Sequence, residues 1–116
     1  MRNKRFNQLV ERRIDRIRKV LRSKGGEYAS DQDRLHNFKV AARIDDETPS
    51  QSLWGMFKKH LVSVIDLKNG THRVTSHLVD EKIGDAINYL ILLEALMVEE
   101  IYHGMENTYA EENRET

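Results

Sequence analysis

The polar residues set inside apolar, helix-patterned stretches are where this sequence can do chemistry. Glu81, Asp85 and Asn88 stand at i, i+4 and i+7, a spacing that brings all three to one helix face. Two carboxylates one turn apart, pointing inward, suit a hard divalent cation such as Mg²⁺. Gly84 between them lets a neighbouring helix or a ligand come close. The plainer alternative is a helix start whose acids complement its N-terminal dipole, and spacing alone leaves both open.

A second constellation is Asp33-Arg34-Leu35-His36-Asn37-Phe38-Lys39, which sets five different polar groups around two apolar anchors. Arg34 and Lys39 can bind phosphate oxygens, while His36 and Asn37 can hydrogen-bond a base or ribose. Its plainer alternative is a solvated helix face with one tolerated His. The third is Lys58-Lys59-His60, flanked by Phe57 and Leu61. One of the three must turn toward the apolar side. Together they are either snorkelling side chains or a second source of positive charge for a phosphate. His72 and His77 lack helical ligand spacing, so zinc is not expected, and no Gly-rich phosphate loop is present.

Four helices are needed to position these groups. The first is amphipathic over residues 3–23, with Phe6, Leu9, Val10, Ile14, Ile17, Val20 and Leu21 at steps of three and four. Lys24-Gly25-Gly26 ends it. A second is expected to start at Ser30, with Asp33 in capping-box position, and to stop at Asp45-Asp46-Glu47. The third has the plainest start: Thr48 caps, Pro49 occupies the first turn and Gln51 completes the box. It runs to about Lys68, before Asn69-Gly70. The fourth, over residues 76–103, is apolar on more than one face, and Gly104 is its expected stop. The fold class is therefore all-α and four-helix bundle-like, with one helical domain over residues 1–104 and a frayed acidic tail over 105–116.

Composition narrows the classes. The chain has 116 residues, 39% of them hydrophobic and 33% charged, enough for one modest core. Cys is absent, which excludes disulfide scaffolds and thiolate metal sites and makes the cytoplasm the expected compartment. The basic N-terminus lacks the apolar stretch of a signal peptide, and the apolar run around Ile91 is too short to span a bilayer, so no membrane partner is expected. The net charge of zero conceals an asymmetry: residues 1–24 carry +8 and residues 94–116 carry −6. The basic end permits weak non-specific binding of nucleic acid, but no helix-turn-helix is recognisable and the acidic end competes for the same charges. Nucleic acid is therefore not the expected partner. The two ends are expected to pair, within a protomer or across a homo-oligomer, and so large an apolar fourth helix in a small chain favours a dimer or higher assembly.

The segment Glu81-Lys82-Ile83-Gly84-Asp85-Ala86, followed by an apolar run, resembles the acidic helix of MazG-like all-α nucleoside triphosphate pyrophosphatases. A nearer likeness is to the small phage proteins called nucleotide-modification-associated domains. It rests on Lys24 with Glu27-Tyr28, on Lys58-Lys59-His60 and on Asp85-Ala86-Ile87-Asn88-Tyr89, and covers residues 10–97. The resemblance implies a phage-encoded, MazG-like fold acting on nucleotides in the host-cell cytoplasm, with Glu81 and Asp85 as the metal ligands matched to the acidic motif. Two departures stand out. Lys82 replaces the motif's second acid, and the earlier helix carries Lys58, Lys59 and His60 where the family has glutamates. Phosphates can then be met by protein cations without a cofactor, but no nucleophilic water is generated.

The leading expectation is thus the binding of a nucleotide or nucleotide-derived small molecule, for instance sequestration of a signalling nucleotide, in an inter-helix pocket. Arg34, Lys39, Lys58 and Lys59 would meet phosphates, with His60 beside them; His36, Asn37, Trp54, Asn88 and Tyr89 would meet base or sugar. One alternative is a pyrophosphatase in which Mg²⁺ sits on Glu81 and Asp85. The other is a structural interaction bundle, which requires Asp33, His36, Asp85 and Asn88 to lie on unrelated surfaces.

Overall fold

The computed structural model describes residues 1–23, 33–71 and 73–114, with the side chains of residues 23 and 105–114 excepted. Four α-helices follow one another: α1 (Asn3–Arg18), α2 (His36–Asp45), α3 (Pro49–Lys68) and α4 (Ser76–Arg114), with a π-helical turn, Lys19–Ser23, continuing α1. No strand occurs among the described residues, so the fold is all-α and bundle-like. No helix is long and apolar enough to cross a membrane among the residues described.

Local chemistry explains the helix limits. Thr48 Oγ1 accepts from the Gln51 N–H at 3.2 Å and Gln51 Oε1 accepts from the Thr48 N–H at 2.9 Å, a complete capping box with Pro49 in the first turn. Glu100 of α4 adds to it, accepting from the Ser50 N–H at 3.0 Å and from Ser50 Oγ at 2.9 Å, so that a carboxylate faces the positive end of α3. Gly70, at φ +66°, closes the far end of α3, where an L side chain would be strained. Thr75 Oγ1 caps the start of α4 by accepting from the Leu78 N–H.

Two limits differ from expectation. The start of the second helix at Ser30 lies outside the described residues; within them α2 begins at His36, and Asp33 folds the approach by accepting the Leu35 N–H at 3.0 Å. This is the local side-chain-to-backbone competition that Asp offers in turns. The stop placed at Gly104 is corrected, because α4 continues through it to Arg114. A helical Gly costs only about 1 kcal/mol, and the residues beyond it include no Pro and several good helix formers.

The fully enclosed core is small. Leu35, Leu53, Phe57 and Leu96 form it, joining α2, α3 and α4, and Phe38, Leu61, Ala86, Tyr89, Leu92 and Leu93 pack around it. Helix α1 buries none of its residues completely; Arg13, Ile14 and Ile17 are half-buried, and charge pairs tie it to the first half of α4. Arg13 donates to both the backbone and side-chain oxygens of Asp80 at 3.0 and 2.7 Å, and Arg16 pairs with the same carboxylate. Gly84 makes room for this: a Cβ there would lie 2.5 Å from Arg13 Nη1. The close approach that Gly84 permits is thus to the guanidinium of a neighbouring helix.

Candidate functional site

A cavity of about 430 Å³ opens where α2, α3 and α4 meet the π-helical turn. Its α4 wall carries Asp85, Asn88, Tyr89 and Leu92, one helical face at i, i+3, i+4 and i+7. Helix α3 contributes Met56 and His60. Asn37 and Phe38 come from α2, Arg34 from the turn before it, and Val20 and Leu21 close the remaining side. Apolar walls with a few convergent polar groups are the general character of small-molecule sites.

The α3–α4 wall is ordered by ring packing. Tyr89 stacks on the buried Phe57 with centroids 5.7 Å apart and planes 17° from parallel. The His60 ring lies 4.5 Å from that of Tyr89, and its Nδ1 is 3.8 Å from an Asp85 oxygen. That separation is beyond hydrogen-bond reach, leaving the carboxylate able to accept from a further donor. Beside it, Asn88 Oδ1 is shielded from solvent and accepts no hydrogen bond from the described residues. A buried acceptor without a donor costs about 1–3 kcal/mol, and Asn88 is among the residues that line the cavity. Ser52 Oγ on α3 is also unpaired but lines no described cavity.

The sequence-identified residues divide into two sets. Arg34, Asn37, His60, Asn88 and Tyr89 come together, and Asp85 shares their wall. Arg34 is also anchored, donating to the Arg22 carbonyl at 3.3 Å. The rest lie elsewhere. His36 and Lys59 are exposed and face no described cavity. Trp54 and Lys58 border a shallow groove against Met97 and Ile101. Lys39 is held between Asp33 at 2.8 Å and Glu99 at 3.0 Å. Val20, Leu21, Phe38 and Met56 line the cavity without having been singled out; in sequence they read as ordinary apolar stripe residues.

Glu81 does not accompany Asp85. It lies near His77 and Lys82, each 3.6 Å from one of its oxygens. Among the described residues no three His, Asp or Glu side chains converge in a manner able to hold a metal ion. The Mg²⁺ alternative on Glu81 and Asp85 therefore finds no third donor among the described residues. The resemblance residues Lys24, Glu27 and Tyr28, like His72, lie outside the described residues.

The Asp33–Lys39–Glu99 cluster ties α2 to the far half of α4. Hydrogen bonding from Lys39, then from the Leu35 N–H, holds the Asp33 carboxyl below its usual range. The bond to Asp33, aided by Glu99, raises Lys39 above the usual lysine value. The lowered Asp33 pKa contributes stability above the unfolded value of 3.8, lost as pH falls through the folded pKa. The raised Lys39 pKa contributes stability below 10.5, lost as pH rises through its folded pKa. All three groups are partly exposed, so Lys39→Met should cost no more than about 1 kcal/mol near neutral pH. Urea melts of both proteins should converge as pH falls from about 4 to 2; a difference that persists there would exclude the ion pair as its source.

No family model, curated protein or solved structure matches the chain.

Proposed function

We propose that this chain binds a nucleotide or nucleotide-derived small molecule in the cavity between α2, α3 and α4, as a self-associating, phage-encoded protein of the host-cell cytoplasm. The observation that carries the reading is one wall of α4 on which a buried, unpaired Asn88 Oδ1, the Asp85 carboxylate and the Tyr89 ring stand side by side. A structural bundle needs Asp33, His36, Asp85 and Asn88 on unrelated surfaces; Asp85 and Asn88 share one wall, whereas Asp33 and His36 lie away from it. The MazG-like resemblance supports the same reading.

The chemistry of the wall shapes the expected ligand. Asp85 and Asn88 Oδ1 are both acceptors, which favours a base edge rich in N–H donors, as guanine has. Tyr89 and His60 offer ring faces against which a base can stack. Arg34 is the one cation among the described lining residues, so the site suits a nucleoside or a ligand with few phosphates better than a triphosphate.

Titration calorimetry against nucleosides and nucleoside mono-, di- and triphosphates tests this. A member of the panel should bind with a dissociation constant in the micromolar range, and Tyr89→Ala should weaken it about tenfold or more. Binding weaker than about 1 mM across the whole panel would refute the reading. Pyrophosphate release followed in the same samples, with and without Mg²⁺, separates binding from hydrolysis.

A further inference from the structure

We infer that the protein forms an antiparallel homodimer in which the first turns of α1 of one copy seat on the far half of α4 of the other. This deepens the self-association reading above and does not depend on the ligand.

The chain exposes far more surface than a closed domain of its size. Its accessible area is 9342 Å², against about 6,600 Å² for a compact monomer of this mass. Its radius of gyration is 18.2 Å, against about 13 Å.

The exposed surface is patterned. On α4 the positions 80, 84, 87, 91, 94, 98 and 101 alternate steps of four and three, the seam along which a second helix packs. Helix α1 covers the start of this seam at Asp80, Gly84 and Ile87. It runs in the same direction as α4, since Leu9 borders Ser76 and His77 while Leu21 borders Asn88 and Leu92. The same seam then continues uncovered through Ile91, Glu94, Val98 and Ile101, the last 61% exposed. At the opposite end, α1 overhangs the first turn of α4. Phe6, Leu9 and Val10 stand exposed there, although they belong to the stripe that faces α4 further on.

Charge selects the occupant and its direction. The overhang carries Arg2, Lys4 and Arg5, and the uncovered seam carries the exposed Glu94, whereas Glu99 and Glu100 are engaged by Lys39 and Ser50. Within one protomer these charges are at opposite ends, and the guanidiniums of Arg13 and Arg16 are satisfied by Asp80 instead. A second copy related by a two-fold axis brings each overhang onto the other's uncovered seam, where both apolar stripes pack and the basic residues meet Glu94.

Sedimentation equilibrium tests the arrangement. Wild type should be a dimer that weakens several-fold as NaCl rises from about 0.05 to 0.5 M. Ile101→Glu, at an exposed position, should keep the helical circular dichroism and weaken association about 30-fold or more. An acidic-overhang variant (Arg2→Glu, Lys4→Glu, Arg5→Glu) and a basic-seam variant (Glu94→Lys) should each dimerise poorly, and their mixture should form the heterodimer. A monomeric wild type at about 100 μM would overturn self-association altogether. A dimer that ignores these substitutions, or a mixture that fails to pair, would overturn this arrangement and leave the ligand reading untouched.

Discussion

Phe57→Ala should leave the chain largely unfolded at physiological temperature. Phe57 is 1% exposed, packs against the core formed with Leu35, Leu53 and Leu96, and supports the rings of Trp54 and Tyr89. Truncating a fully buried Phe costs about 3–5 kcal/mol, transfer and cavity terms together. Domains have only about 5–15 kcal/mol in total, and so small an enclosed core puts this one toward the lower end. Urea denaturation followed by circular dichroism measures the loss. Phe57→Leu, which keeps most of the volume, should cost about 1.5 kcal/mol or less. An alanine variant with a cost below about 1 kcal/mol would show that the packing around Phe57 is not what holds α3 to α4.

Asn88→Leu should produce the opposite pairing of effects: a more stable protein that no longer binds. Leu has nearly the shape of Asn and removes the buried acceptor that has no donor, so a gain of about 1–2 kcal/mol is expected. For a domain of this size that corresponds to a rise in Tm of roughly 4 °C or more. The same change removes a hydrogen bond to the ligand and places a methyl group in its path, so affinity in the calorimetric panel should fall at least tenfold. A fall in Tm would mean that Asn88 is held by partners in the unliganded protein. Unchanged affinity would remove Asn88 from the site.

How much was legible in advance follows from which interactions are local. The limits of α3 could be read from Thr48-Pro49-Ser50-Gln51, because a capping box is closed by residues three apart in one chain segment. The continuation through Gly104 could not, because a single Gly is a weak signal that the surrounding residues override. Among Lys58, Lys59 and His60, each turned about 100° from the next, only one was able to face inward. The choice of His60 follows from where α4 presents Tyr89.

The same distinction separates the two kinds of knowledge about the whole protein. From sequence alone come the all-α class, the helix faces, the shared face of Asp85 and Asn88, and the opposed charges of the two ends, since each depends on spacing along one helix or on composition. Only the tertiary structure decided that Asp85 and Asn88 join Arg34, Asn37, His60 and Tyr89, while Lys39 is neutralised by two carboxylates and Lys58 and Lys59 point elsewhere. It also decided that α1 lies along the first half of α4 and leaves the second half of the seam open. Helical periodicity specifies what each helix can present. Which presented faces meet depends on side-chain packing and charge pairing between residues far apart in the chain, such as Arg13 with Asp80 and Phe57 with Tyr89.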